Sequence, residues 1–165
     1  MSIRIGHGYD VHRFSDEISV EGNSFIILGG IKIPHDRCLL AHSDGDVVIH
    51  ALCDAILGAL GAGDIGNHFP DTDERYSGIN SAELLSLVMD MAEQDSWQLV
   101  NADVTVVAQA PKLSPYVDAM RENLSTLISV TKSCMNIKAT TSEGLGFTGR
   151  HEGIATYAVV LLGSR

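Results

Sequence analysis

A chain of 165 residues is long enough for one domain built on a single sizeable core. Hydrophobic residues at 45% and charged residues at 19% exclude an intrinsically disordered segment. A net charge of −10, from 21 acidic against 11 basic residues, excludes a nucleic-acid binder that works by replacing counterions along a phosphate backbone. An anionic small molecule remains possible if metal ions, backbone N–H groups or a few placed cations hold it. Cys38, Cys53 and Cys134 are odd in number, far apart and without a C-x-x-C pair, which points to a reducing, cytoplasmic compartment. The N-terminus MSIRIGHGYD reads as neither a signal nor a transit peptide, and no apolar run approaches the ~18 residues of a membrane helix.

In chain order, Ile3 to Tyr9 alternates weakly and is predicted as a strand, with Ser15 to Asn23 a polar surface loop. Ser24 to Pro34 (SFIILGGIKIP) predicts a hairpin around Gly29-Gly30. Ser43 reads as an N-cap, with Asp44 and Asp46 in a first turn, opening a helix that runs to about Leu60 and ends at Gly61 and Gly63. Residues 61–79 are dense in Gly, Asp, Asn and Pro and predict a long functional loop. A second helix spans Ser81 to Glu93, and a strand runs from about Val100 to Gln109. Ser114-Pro115 then opens a third helix with proline at N1. Strands at Met135–Thr141 and Ile154–Leu162 close the chain. Interleaved strands and helices give a two-layer α/β sandwich, a mixed sheet with helices on one face, as a single domain over 1–165. The last strand, IATYAVVLL, is apolar at almost every position, so both of its faces should be buried, most simply by self-association.

Asp10 and His12, two apart on extended chain, point the same way and can converge on one ion, as Asp oxygen and His nitrogen do around zinc; taken alone the signal is weak, and a salt-bridged surface pair is the simpler reading. A third ligand has to come from elsewhere. His50 lies mid-helix among Val47, Ile49, Ala51 and Leu52, where a satisfied core histidine is the simpler reading. His42 and Ser43 sit beside a helix N-terminus, a place suited to an anionic ligand or merely to capping. In GAGDIGNHFPDTD, Asp64 and Asp71 either accept from sugar hydroxyls or close Asx-turns. Ala108 to Lys112 ends a strand before a helix, a common ligand-loop position, and Lys112 can meet phosphate or simply be solvated. Thr140, Thr141, Ser142 and Glu143 end the next strand with three hydroxyls and a carboxylate, suited to a phosphate and to a magnesium ion shared with it. In the GLGFTGR that follows, Phe147 and Arg150 are the side chains available to a substrate.

Taken together, IRIGHGYDVHRF, LLAHSDGDVVIHAL, GDIGNHFPDTD, DVTVVAQAPK, ATTSEGLGFTGR and EGIA, in this order, resemble the cyclodiphosphate synthase family of the non-mevalonate isoprenoid pathway, from about Ile3 to Leu162. The resemblance implies that Asp10, His12 and His50 are the zinc ligands, with Val11 between them at the substrate. His42 and Ser43 would bond the phosphate and erythritol part. Asp64, Ile65 and Gly66, with Phe69, Pro70, Asp71, Thr72 and Asp73, would contact substrate. Ala108, Gln109, Ala110, Pro111, Lys112, Leu113 and Ser114 would surround the cytosine. Thr140, Thr141, Ser142 and Glu143 would grip the diphosphate, Glu143 alongside a second ion, Mg(2+) or Mn(2+). His42 and Thr141 would be the catalytic hydrogen-bond donors. The family further implies a bacterial cytoplasmic homotrimer with its sheets around an axis, and sites between subunits that take zinc from one and cytidine from the next. Two departures stand out: Ser142 where Thr or Asn is frequent, and His151 where a small residue is usual.

The implied reaction is intramolecular. A 2-phosphate oxygen of the CDP-linked methylerythritol attacks the β-phosphorus, a cyclic diphosphate forms and CMP leaves. The phosphate oxygen is already anionic and needs no general base, only in-line placement and charge neutralisation. Two rivals remain at this stage: a zinc phosphohydrolase, for which His35-Asp36 supplies an HD dipeptide, and a nucleotide- or metal-sensing trimer without turnover.

Overall fold

The computed structural model describes residues 2–18, 24–70, 72–76 and 78–165. Strand β1 (Ile3–Arg13) is longer than expected, so Asp10 and His12 lie within it rather than after it. Side chains alternate along a strand. Gly6, Gly8, Asp10 and His12 therefore share the face turned to the helices, while Ile3, Ile5, Tyr9 and Val11 turn to the other and are exposed. The hairpin forms as expected, from β2 (Phe25–Leu28) and β3 (Ile31–Pro34), with Gly29 and Gly30 at positive φ in the turn. Of the polar loop before it, residues 19–23 lie outside the described residues.

Helix α1 (Val47–Leu60) ends on a left-handed Gly61, as its sequence demands, but it begins later than expected. Its N-cap is Asp46, not Ser43, and its first turn holds no acidic residue. The reason is Gly45, whose φ of +75° turns the chain between Asp44 and Asp46. The Asp46 carboxylate accepts from Val48 N and Ile49 N at 3.1 Å, and from Gly29 N and Gly30 N of the hairpin at 2.9 and 2.6 Å. One side chain thus caps α1 and pins the hairpin to it. Burial pushes the Asp46 carboxyl up to about 6, against the N–H groups of Gly30, Ile49 and Gly29 that favour the anion.

Residues 61–79 are more structured than a loop, with a short helix α2 (Ile65–His68) and a 3-10 turn at Glu74–Tyr76. Helix α3 (Ser81–Gln94) follows, then β4 (Trp97–Val107). The third long helix, α4 (Val117–Ile128), starts after Tyr116, so Pro115 is not its N1 residue. Tyr116 N bonds to Leu113 O at 2.9 Å, and the turn so closed delays the helix. Strand β5 (Met135–Thr140), a short helix α5 (Gly146–Gly149) and strand β6 (Gly153–Ser164) complete the chain.

The main sheet is mixed and ordered β1-β6-β4-β5, with β1 and β4 antiparallel to β6 and β5 parallel to β4. α1 lies on β1 and β6, and it is buried nearly all round, as a central helix should be. Two glycines set its distance. A Cβ on Gly6 would come within 1.7 Å of Ala55 O, and one on Gly8 within 1.9 Å of Ala51 O, so helix and strand meet backbone to backbone. The opposite sheet face is bare in the single chain. Ile3, Ile5, Tyr9 and Val11 of β1 lie there beside Tyr157 and Val159 of β6, and all six are exposed. The two-faced apolarity of β6 is therefore real, with one face in the core and the other on the surface. Because β1, β4 and β5 run the same way, their C-terminal ends share one end of the sheet, with β1 and β5 on opposite edges.

Candidate active site

Asp10 and His12 reach up from β1 and His50 reaches down from α1, brought together by the close approach at Gly6 and Gly8. Asp10 Oδ2, His12 Nε2 and His50 Nδ1 form a triangle with each side 3.0 Å. Three donors of a tetrahedral ion held at about 2.0–2.1 Å lie about 3.3 Å apart, so this triangle is close in size to one face of such a coordination tetrahedron. The far nitrogen of each imidazole decides its tautomer. His12 Nδ1 is 3.1 Å from Leu40 O, an acceptor only, so the proton is on Nδ1 and the lone pair on Nε2. His50 Nε2 meets Ser81 Oγ at 2.9 Å and Ser43 Oγ at 3.1 Å, leaving Nδ1 to face Asp10. Two lone pairs and a carboxylate oxygen converging on one point call for a cation. Burial works to raise the Asp10 pKa, but the two imidazoles beside it, His12 and His50, outweigh that and hold the carboxyl well below the usual range. The same carboxylate lifts His12 above its ordinary value, against the burial that would lower it. This is the one such cluster among the described residues, and His35 and Asp36 have no place in it. His35 instead stacks on Phe14 at 4.5 Å.

The triad forms one wall of a cavity of about 360 Å³. His42, Ser43, Ile65, Gly66 and Phe69 line it too, as does Leu84, which the sequence did not single out. Asp54, one turn along α1 from His50, accepts from Ile65 N at 2.7 Å and so ties α2 to α1 beneath the cavity. Asp64 points its carboxylate at Asn67 N at 2.9 Å, capping α2 as an Asx residue does. Thr72 and Pro70 do not line the cavity, and Asp73 is paired with Arg75. Asp71 lies outside the described residues.

A second cavity of about 340 Å³ opens at the C-terminal ends of β4 and β5. It is lined by Ala108, Gln109, Pro111, Lys112, Leu113 and Ser114, most of the expected cytidine segment, and by Thr140 and Thr141, half of the expected diphosphate segment. Gln109 Oε1 is buried there with no protein hydrogen-bond partner. Thr141 Oγ1 donates to Glu143 Oε1 at 2.9 Å, and Ser142 Oγ to Leu145 O at 2.7 Å. The two cavities share no residue. Ala110, Ser142, Glu143 and Phe147 line neither, and Val11 faces the bare side of the sheet. Arg150 is ion-paired with Glu152 in a third cavity of about 390 Å³, beside Arg13 and Arg37.

A sequence profile of the YgbB family matches residues 3–163. The chain belongs to the YgbB family. A family relative from Cellvibrio japonicus, named 2-C-methyl-D-erythritol 2,4-cyclodiphosphate synthase, is 56% identical over 165 residues, the whole of both chains. The bifunctional IspDF of Campylobacter jejuni superposes with a TM-score of 0.91 at 42% identity, over 99% of this chain and 43% of that one. IspF of Plasmodium falciparum, solved as a CDP complex, superposes with a TM-score of 0.85 at 35% identity, over 99% of this chain and 97% of that one.

Proposed function

We propose that the chain converts 4-diphosphocytidyl-2-C-methyl-D-erythritol 2-phosphate into 2-C-methyl-D-erythritol 2,4-cyclodiphosphate and CMP, and that residues 1–165 form one synthase domain for this reaction. The observation that carries the reading is the triangle of Asp10, His12 and His50, formed in a chain whose relatives are named for this reaction. Those three side chains would hold zinc, which supplies Lewis-acid neutralisation of a phosphate oxygen when bound. Glu143 would take part in holding a second ion, magnesium or manganese, together with the substrate's diphosphate. His42 and Ser43 would donate to phosphate and erythritol oxygens at the triad cavity. At the other cavity, Thr140 and Thr141 would grip the diphosphate, while Ala108–Ser114 would enclose the cytosine. His42 and Thr141 would act as donors to the charge that develops on phosphate oxygens in the transition state. No residue need act as a base. Chain groups hold the attacking phosphate in line with the β-phosphorus, and this in-line placement is worth more than proton transfer here.

The two cavities open at one end of the sheet, one beside β1 and the other at the ends of β4 and β5, and the edge strands β1 and β5 are three strand spacings or about 14 Å apart. A ring of three identical subunits would set one chain's β1 edge beside the next chain's β5 edge, which would join the half-sites and cover the bare apolar face. This supports a homotrimer with composite sites. Three free thiols support a cytoplasmic setting, and no helix among the described residues is long and apolar enough to cross a membrane.

Phosphorus NMR on the purified chain with substrate and added zinc and magnesium tests the activity. A cyclic diphosphate and CMP in equal amounts are expected. Linear monophosphates would make it a phosphohydrolase, and unchanged substrate would make it a binding protein.

A further inference from the structure

His50 Nδ1 can serve as a ligand only while the ring proton is on Nε2, and the structure shows what holds it there. Ser81 is fully buried at the start of α3. Its hydroxyl donates to Asp44 Oδ1 in a short hydrogen bond, and its backbone N–H donates to Asp44 Oδ2 at 3.0 Å. Asp44 Oδ1 also accepts from Asp46 N at 3.2 Å, which fixes the carboxylate against the turn before α1. A carboxylate offers only lone pairs, so the Ser81 proton is committed to Asp44. Ser81 Oγ then has only lone pairs left for His50 Nε2, 2.9 Å away. Ser43 Oγ, the other neighbour of that nitrogen at 3.1 Å, lines the open cavity and is free to turn either a proton or a lone pair to the ring. Ser81 is the partner whose direction is set.

We infer that Asp44 and Ser81 are positioning residues, a relay running carboxylate to hydroxyl to imidazole that locks His50 in the tautomer whose Nδ1 lone pair points at Asp10 and His12. The inference rests on the reading of those three side chains as a metal site. Outer partners of this kind carry about 10–100-fold in metal affinity. Asp44 has a competing structural role, since it satisfies a free N–H at the start of α3. The two roles separate on substitution. Asparagine caps helices as well as aspartate does, but an amide nitrogen turned to Ser81 Oγ donates where the carboxylate accepted. That releases the Ser81 proton to His50 Nε2 and reverses the relay.

The test compares wild type, Asp44→Asn and Ser81→Ala by two measurements. Nitrogen-15 NMR of the metal-free chains at alkaline pH reads the His50 tautomer, and competition with a chromophoric chelator reads zinc affinity. The wild type should show His50 with its proton on Nε2. Both variants should gain the Nδ1–H form, and their zinc dissociation constants should rise about 10–100-fold. Unchanged zinc affinity in both variants overturns the relay. So does weaker zinc with His50 still on Nε2–H, the outcome for a purely structural role. If Ser81→Ala fails to fold, Asp44→Asn alone decides. A wild type that binds no zinc through His50 removes the metal reading itself, which is a separate failure.

Discussion

His50 occupies a place on α1 that burial alone would assign to an aliphatic residue: its neighbours Val47, Ile49, Ala51 and Leu52 are all fully buried. Converting it to alanine leaves a small void beside an open cavity, so folding should survive while the triad loses one of three ligands. His50→Ala should therefore lower zinc, measured by elemental analysis, from about one ion per chain to a small fraction, because two ligands hold zinc poorly. Full zinc in a folded His50→Ala would remove it from the site. The pH dependence follows from His12. Asp10 raises its pKa above the ordinary 6.5, and a protonated ring has no lone pair for a metal. Zinc affinity should be flat at alkaline pH and start to fall above pH 6.5, approaching about tenfold per pH unit for one displaced proton. Titration with a chelator checks this, and a curve that bends only below pH 6 would contradict it. Asp10 and His12 were legible as a pair because they are two apart on a strand. His50 was not legible from its own surroundings, since its partners lie 38 and 40 residues away. Ser81 left no local signal either, as its meeting with Asp44 spans 37 residues.

At the level of elements, the site depends on how near α1 lies to β1. Gly8→Ala would place a methyl about where Ala51 O stands, and neither backbone can yield without moving the other. The expected cost is about 3 kcal/mol or more, at the upper end of overpacking, with zinc lost because Asp10 and His50 part. Thermal denaturation and elemental analysis together check it; a variant with wild-type Tm and zinc would show that the close approach is not needed. Asp46→Ala strips a helix cap and leaves two hairpin N–H groups without their acceptor. The expected loss is about 2–4 kcal/mol, read from urea denaturation, and a loss below about 0.5 kcal/mol would contradict the pinning role. Element existence was largely legible, since the hairpin, three long helices and the strands all follow from periodicity and turn residues. Their starts were less so. Ser43, Asp44 and Asp46 are all acceptable caps, and only the turn at Gly45 selects Asp46. Likewise Ser114-Pro115 carries the pattern of a helix start, yet a turn from Leu113 to Tyr116 uses those residues first.

For the whole molecule, β6 was the informative segment. Its continuous apolarity led to the expectation of two buried faces; in the single chain one face lies in the core and the other leaves Tyr157 and Val159 exposed, with Tyr157 across from Tyr9. Composition and periodicity could not place the expected site residues on the two edges of the sheet, because edge position depends on strand order, and strand order is not a local property; the division into a zinc side and a cytidine side came only with the family resemblance. The central claim is that those cavities are halves of one active centre completed by a neighbouring subunit. Mixing decides it most directly. His12→Ala spoils only the triad half and Glu143→Ala only the diphosphate half, so each variant alone should be inactive. After joint unfolding and refolding in equal amounts, every mixed ring of three contains one site with both halves intact, and about a quarter of wild-type activity should return. Continued inactivity in rings verified to be mixed would contradict the account, for it would mean that each site is built from a single chain.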